Sequence, residues 1–325
     1  MVMKILITDK TADEAIQVLK DEGYEVYYEE MDHDTLLKAI PEYNGLMVRS
    51  RTKVTKDIVE AGAEGKLKVI GRAGIGVDNI DIETAATKGI KVVNSPTGST
   101  KSVAELAVAH MLALARFIPK ADSSMKKGEW IKKQLKGTEL YGKTLGLIGS
   151  GNIAQHVARI ANGLGMNVLV YSPHCTGEKA KRMGAEHVTF EELLKQSDFV
   201  SLHIPHTKET HYLLNEKTLS LMKPGAYLIN CARGGVVDEN ALYNILLKGG
   251  LAGAAIDVFE TEPPSKENKL LTLDNVILTP HLGANTREAQ INAGTICAKQ
   301  IIKVLNGETP DFWVNKNLMM QKEKI

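Results

Sequence analysis

Short apolar runs alternate with stretches of helical spacing from the start of the chain. Lys4–Thr8, Glu25–Tyr28, Gly45–Arg49, Leu67–Ile70 and Lys91–Asn94 read as strands. Between them, Thr11–Lys20 places Ala12, Ala15, Ile16 and Leu19 at helical spacing and stops at Gly23. Asp34–Ile40 (halted by Pro41), Lys56–Ala63 and Ile80–Thr87 also read as helices. This βαβα order predicts a parallel sheet covered by helices on both faces. The pattern then changes. Ser102–Phe117 is a long helix candidate rich in Ala, Leu and Met, so apolar that either its own sheet or a partner subunit has to cover it. Pro119–Lys127 follows as a further helix, then a basic loop from Lys126 to Lys136. A second alternating series opens at Thr144. Its strand candidates are Thr144–Ile148, Asn167–Tyr171, Phe199–His203, Ala226–Asn230, Gly253–Ile256 and Val276–Thr279.

After the last strand, Asn285 and Glu288 predict a capping box. Ala293, Cys297, Ile301, Val304 and Leu305 then share one helical face, and Gly307 closes the helix. Such a helix carries the chain back to the first series, where the short apolar run Phe312–Val314 follows. The expected architecture is α/β, with two doubly wound parallel-sheet domains. A nucleotide-binding domain at 99–286 is inserted into a discontinuous domain made of 1–98 and 287–325. The cleft between two such domains is the expected active site.

The segment Gly146–Ala154 supports the nucleotide assignment. It holds the spacing Gly149-x-Gly151-x-x-Ala154 between the strand Thr144–Ile148 and the helical run Ile153–Leu164. Alone, this spacing is an ordinary turn; between a strand and a helix it signals a Rossmann-type dinucleotide site. Gly149 permits the tight turn, Gly151 lets the backbone approach a pyrophosphate, and Ala154 lets the helix pack closely on the strand. The helix N-terminus offers free N–H groups and the positive end of its dipole.

Composition narrows the class. Hydrophobic residues form 43% of the 325, which supports sizeable cores in about two domains. Lys plus Arg number 40 against 39 Asp plus Glu, a balance that argues against a nucleic-acid or acidic-membrane binder. It leaves room for a local basic pocket. Cys175, Cys231 and Cys297 form no Cys-x-x-Cys pair and predict reduced thiols rather than disulfides or a zinc site. Met1–Lys10 leads straight into a strand without a signal-peptide pattern, and no apolar run approaches ~18 residues. The expectation is a soluble, cytoplasmic protein.

Three polar residues stand just past predicted strands of the second series: Arg233, Glu262 and His281. Each alone is a common strand-end residue. Together, beside a nucleotide turn, they suit hydride transfer. His281 is the expected general acid–base for a hydroxyl proton, Glu262 would orient its ring and stabilise its charged form, and Arg233 would hold a carboxylate through its fork. In the first series Arg49-Ser50-Arg51 and Gly71-Arg72-Ala73-Gly74 end strands, and two or three guanidinium groups there would suit a phosphate. His203, His206 and His211 lie close in sequence but carry no zinc-ligand pattern, so no metal is expected.

These stretches together resemble the D-2-hydroxyacid dehydrogenases. The matching segments are Val48–Arg51, Gly71–Asn79, Ala104–Leu106, Gly146–Ala154, Asn230–Asp238, Asp257–Pro264 and Pro280–Ala284, spread over nearly the whole chain. The resemblance implies hydride transfer between NAD and a 2-hydroxy acid, and in its detail the oxidation of 3-phosphoglycerate to 3-phosphohydroxypyruvate, the first step of serine biosynthesis. It implies Arg233, Glu262 and His281 as the catalytic set. Its cofactor contacts fall on Gly149, Gly151, Asn152, Ile153, Ser172, Cys231, Ala232, Asp257 and Gly283. Its substrate contacts fall on Arg49, Ser50, Arg72, Ala73 and Gly74. Lys132 and Lys133 match a basic loop that reaches a neighbouring subunit's active site in some members, which implies a homodimer through the 100–140 region. The regulatory C-terminal extension of some members has no counterpart here, so control by serine through it is not expected.

Two alternatives stay open. One is a hydroxypyruvate or glyoxylate reductase, which needs no phosphate site at Arg49 and Arg72. The other is an NAD-sensing corepressor that binds peptides, for which the short mixed-charge end Asn317–Ile325 offers no groove or tail. One position departs from the family pattern. NAD-dependent members usually carry an acidic residue after the second nucleotide-domain strand, where it bonds the adenosine ribose. Here Val168–Tyr171 is followed by Ser172-Pro173-His174. A serine bonds a hydroxyl but lacks the charge that repels a 2′-phosphate. NAD is the expected cofactor, with NADP or dual use open.

Overall fold

The computed structural model describes residues 2–322. The chain divides into two compact units, Met1–Ser99 with Ala284–Ile325, and Thr100–Gly283.

In the first unit, β1 (Lys4–Ile7), β2 (Glu25–Tyr28), β3 (Gly45–Val48), β4 (Val69–Arg72) and β5 (Lys91–Asn94) form one parallel sheet in the order β2-β1-β3-β4-β5. Alternate residues face opposite sides, as the pleat requires. Ile5, Ile7, Met47, Val69 and Val93 pack with Ala15 and Leu19 of the helix Asp13–Asp21 and with Cys297 and Ile301 of the helix Arg287–Leu305. Leu6, Leu46, Val48, Ile70 and Val92 pack on the other face with Leu36, Ile58 and Val59. Every residue of β3 is buried, as a central parallel strand covered on both faces has to be.

Two expectations need correction here. The fourth strand runs 69–72 rather than 67–70. Leu67 is buried, but its N–H bonds the carbonyl of Gly62, which makes it an apolar residue of the turn that ends the preceding helix. The long C-terminal helix is capped by Thr286, whose Oγ1 accepts from the N–H of Ala289 at 3.1 Å; Asn285 instead accepts from the Gln290 side chain at 3.0 Å. After that helix, Trp313 bridges Val93 antiparallel, so the chain end closes the edge of the sheet.

The second unit contains β6 (Thr144–Ile148), β7 (Asn167–Tyr171), β8 (Glu186–His187), β9 (Phe199–Leu202), β10 (Tyr227–Asn230), β11 (Gly253–Ile256) and β12 (Val276–Leu278). They form a parallel seven-stranded sheet in the order β12-β11-β10-β9-β6-β7-β8. The extra strand, β8, is two exposed residues at the edge, with no apolar pattern to betray it. The order reverses between β6 and β9, the switch point where open α/β sheets bind ligands. The apolar helix Thr100–Ala115 is buried in its own unit: Ala104, Ala107, Met111 and Leu114 pack with Leu145, Leu147, Phe199 and Ile229. Its own sheet, not a partner, covers this face. Among the described residues no single helix is long and apolar enough to cross a membrane.

Candidate active site

The nucleotide turn leaves β6 at the switch point. Gly149 takes φ +112, and an added Cβ would lie 2.3 Å from the His203 carbonyl oxygen, so only glycine fits. The adjoining N–H of His203 bonds the Ile148 carbonyl at 2.8 Å. Gly151 has an extended backbone and open space where its Cβ would stand. It precedes the helix Asn152–Gly163, whose first turn has no side-chain cap. Exposed backbone amides, a helix dipole and free space over Gly151 are what a pyrophosphate needs, so the turn fits the dinucleotide. Asn152 is exposed, Ile153 partly buried, and Ala154 packs in the core. Ser172 is the first residue after β7, and the Gly149 N–H bonds the carbonyl of Tyr171 at 2.8 Å, which ties that strand end to the turn.

Loops after β10, β11 and β12 carry the three chemical side chains. His281 Nδ1 lies 2.7 Å from Glu262 Oε2. Glu262 Oε1 accepts from the N–H of Phe259 at 3.1 Å, which fixes the carboxylate on its own loop. The Arg233 loop is pressed against that loop, since a Cβ on Gly234 would lie 1.8 Å from the Phe259 carbonyl oxygen. Burial pushes the Glu262 pKa up. The hydrogen bond and charge of His281, the Phe259 N–H and the Arg233 charge outweigh it, and the carboxyl sits below its ordinary value. It is therefore ionised at neutral pH.

His281 itself takes φ +53, a left-handed conformation that costs a non-glycine residue on the order of 1 kcal/mol. Asp257 holds it there. The Asp257 carbonyl accepts from the His281 N–H at 2.9 Å, and its carboxylate accepts from Leu282 N–H at 2.7 Å, Gly283 N–H at 2.9 Å and Thr279 Oγ1 at 2.6 Å. Asp257 is completely buried. Behind it, His110 of the apolar helix stands between Thr279 Oγ1 at 3.4 Å and Cys231 Sγ at 3.5 Å. Ala232 is also buried; its N–H bonds Asn230 Oδ1 at 3.0 Å. The sequence signal for His110 was a lone histidine in the apolar second half of its helix.

His206 Nε2 and His211 Nδ1 bond each other at 3.0 Å, whereas His203 Nε2 bonds Ser201 Oγ at 3.0 Å.

In the first unit, Asp9 organises the basic loop after β3. Its buried carboxylate accepts from the Arg49 N–H at 2.6 Å and from the Thr52 N–H, and pairs with Arg51 Nε at 3.4 Å. Asn79 Nδ2 ties the same loop through the carbonyls of Arg49 at 2.9 Å and Thr52 at 2.7 Å. Ser50 is exposed. Arg51, one of the guanidinium groups suggested for a phosphate, is half exposed and donates to the backbone carbonyls of Met31 and Thr8. Arg72, at the end of β4, lies over Gly74, where a Cβ would meet its guanidinium; Ala73 is buried and bonds the Val48 carbonyl at 2.8 Å. Asp9 escaped sequence reasoning, because a strand-end acid looks like surface until its carboxylate turns inward; Asn79 stood there only as the end of the matching segment Gly71–Asn79. Lys132 stands exposed in a short 3₁₀ turn of the second unit.

The pattern described as D-isomer specific 2-hydroxyacid dehydrogenase, NAD binding domain, matches residues 108–283. The chain belongs to the D-isomer-specific 2-hydroxyacid dehydrogenases. It is 52% identical over 314 residues to a D-3-phosphoglycerate dehydrogenase of Methanocaldococcus jannaschii, covering 96% of this chain and 59% of that relative. The chain thus spans less than two thirds of that relative's length. It is 49% identical to a hydroxypyruvate reductase of Thermotoga maritima, covering 93% of this chain and 98% of the relative. A solved structure of similar fold is an acyclic imino acid reductase in complex with NADPH and D-Arg, 33% identical, with a TM-score of 0.86 over 96% of this chain and 100% of that one. The nucleotide turn and the loops of Arg233 and Glu262 lie inside the matched NAD-binding segment, as does His281.

Proposed function

We propose that this dehydrogenase interconverts D-3-phosphoglycerate and 3-phosphohydroxypyruvate with NAD, the first step of serine biosynthesis. The observation that carries the reading is the 2.7 Å contact between His281 and an ionised Glu262, on strand-end loops of the unit that holds the nucleotide turn. NAD supplies the hydride acceptor. The protein handles the proton and the substrate's charges. With Nδ1 committed to Glu262, His281 Nε2 is the ring nitrogen that takes the hydroxyl proton as the 2-carbon is oxidised and returns it in reduction. Glu262 keeps the ring oriented and stabilises the imidazolium that forms. Arg233 holds the substrate carboxylate in its fork. We assign Thr100–Gly283 to the cofactor and the first unit to the substrate, with Arg49, Ser50, Arg72, Ala73 and Gly74 as its contacts; Arg49 and Arg72 take the phosphate.

A second reading, hydroxypyruvate reductase, is favoured by the Thermotoga maritima relative at 49% identity. Steady-state rates on 3-phosphoglycerate, glycerate and glyoxylate separate the two. Preference for the unphosphorylated acids overturns the first reading. Arg49→Ala then discriminates further: it should raise KM for the phosphorylated acid roughly tenfold or more, as the loss of a charge-assisted contact does.

We also infer a homodimer through the 100–140 region, with Lys132 reaching the partner. Ile118, Met125 and Trp130 support it, being 55%, 56% and 77% exposed. A monomeric mass by light scattering at working concentration excludes it. The three cysteines are free and buried, which suits a reducing, cytoplasmic setting.

A further inference from the structure

Arg49 and Arg51 stand two residues apart in the loop after β3, yet they meet different electrical surroundings. Arg49 Nη1 donates to the carbonyl of Lys10 at 2.9 Å, a neutral acceptor that leaves the guanidinium its charge. Arg51 meets charges of opposite sign. Its Nε lies 3.4 Å from Asp9 Oδ1 and 3.8 Å from Glu30 Oε2, and its two terminal nitrogens donate to the carbonyls of Met31 and Thr8. The Asp9 side chain is 4% exposed, against 49% for Arg51. A carboxylate so buried needs partners for its charge. Asp9 finds them in this loop: Oδ2 accepts from the Arg49 N–H at 2.6 Å, and the carboxylate also accepts from the N–H and the hydroxyl of Thr52. From the other side, Asn79 Nδ2 donates to the carbonyls of Arg49 and Thr52. The backbone of 49–52 is thus gripped at both ends, its N–H groups by Asp9 and its carbonyls by Asn79.

We propose that Asp9 is a positioning residue for the substrate's phosphate, and that Arg51 is its internal counter-ion rather than a third phosphate ligand. The proposal rests on the phosphoglycerate reading, with Arg49 on the phosphate. A carboxylate beside an anion site competes with the ligand for every nearby cation. Arg51 answers the charge of Asp9, so Arg49 is held by its backbone and keeps its guanidinium for the ligand. Without Arg51, the guanidinium left in this loop to neutralise Asp9 is that of Arg49, which is then lost to the phosphate. An acid without a phosphate does not use Arg49 and is indifferent to the arrangement. Asp9 and Arg51 are therefore specificity-determining and not catalytic.

Steady-state kinetics with NAD on 3-phosphoglycerate and on glycerate, with a melting curve for each variant, test this. Asp9→Asn and Arg51→Gln should each raise KM for 3-phosphoglycerate about tenfold, as the loss of a charge-assisted contact does, and leave kcat and the KM for glycerate within about twofold. Arg49→Ala should raise the same KM, and adding Arg51→Gln to it should raise KM less than about twofold further, because Arg51 acts through Arg49. A further tenfold rise in that double variant makes Arg51 a direct ligand and overturns the proposal. So does an unchanged KM for 3-phosphoglycerate in folded Asp9→Asn or in Arg51→Gln, and so does an equal rise for both acids, which would make Asp9 a general support of the unit. Should Asp9→Asn fail to fold, the Arg49 and Arg51 variants, at less buried positions, decide alone. An unchanged KM for 3-phosphoglycerate in Arg49→Ala overturns the phosphate reading itself, and this proposal with it.

Discussion

His281 and His203 show one side chain put to two uses. His281 is held out on a left-handed backbone with Nδ1 on Glu262, and Nε2 is left for chemistry. His281→Ala should lower kcat by about 10²–10⁴, the usual worth of a general acid–base, with a far smaller effect on cofactor affinity. An unchanged kcat removes it from that role. His203 backs the glycine turn with Nδ1 sealed from solvent and unpartnered, and burial pushes its pKa down from 6.5 to about 4. The sign follows directly. Below pH 6.5 the unfolded chain takes up a proton that the native ring refuses until about 4. Stability present above pH 6.5 is therefore lost between 6.5 and about 4, by up to roughly 3 kcal/mol. Urea unfolding across that interval should show a steeper acid loss in the wild type than in His203→Gln. Parallel slopes would contradict the assignment.

At the scale of the element, two glycines in one turn make opposite predictions. Gly149→Ala sets a methyl 2.3 Å from the His203 carbonyl at φ +112, so the strand end must shift. It should lower both thermal stability and dinucleotide affinity. Gly151→Ala meets nothing within 4 Å and no unusual φ. It should leave the melting temperature nearly unchanged yet weaken NAD binding by about tenfold or more, because its methyl stands where the pyrophosphate approaches. Paired melting and titration of the two variants check this. Equal stability losses would mean that space over Gly151 is not what the turn provides.

At the scale of the whole molecule, the C-terminal segment completes a sheet begun at the N-terminus. Asn315 is fully buried; its Oδ1 accepts from the Val92 N–H and Trp313 Nε1, each at 2.9 Å, and its Nδ2 donates to the Ile90 carbonyl at 2.9 Å. Asn315→Ala leaves two buried backbone partners and the partly buried Trp313 Nε1 without this side chain, which should cost roughly 2–4 kcal/mol. Hydrogen exchange should rise across β5 and the helix Arg287–Leu305, while β6 and β9 in the other unit keep their protection. Uniform loss across both units would show that they do not open separately.

Strand–helix alternation, and the glycine turn between a strand and a helix, were legible because both are local: periodicity follows from the pleat and the helical turn, and φ tolerance belongs to one residue. Arg233, Glu262 and His281 were legible as strand-end polar residues next to that turn. What decides their chemistry was not. The 2.7 Å His281–Glu262 contact joins residues 19 apart, and the buried His110, Asp9 and Asn315 read as ordinary polar residues in one dimension. A polar side chain acquires its role from which atoms face it and how little water remains, and both are set only when distant strands come together. The same holds for the apolar helix Thr100–Ala115. Its composition demanded a cover, and only the folded sheet of its own unit determined which surface supplies it.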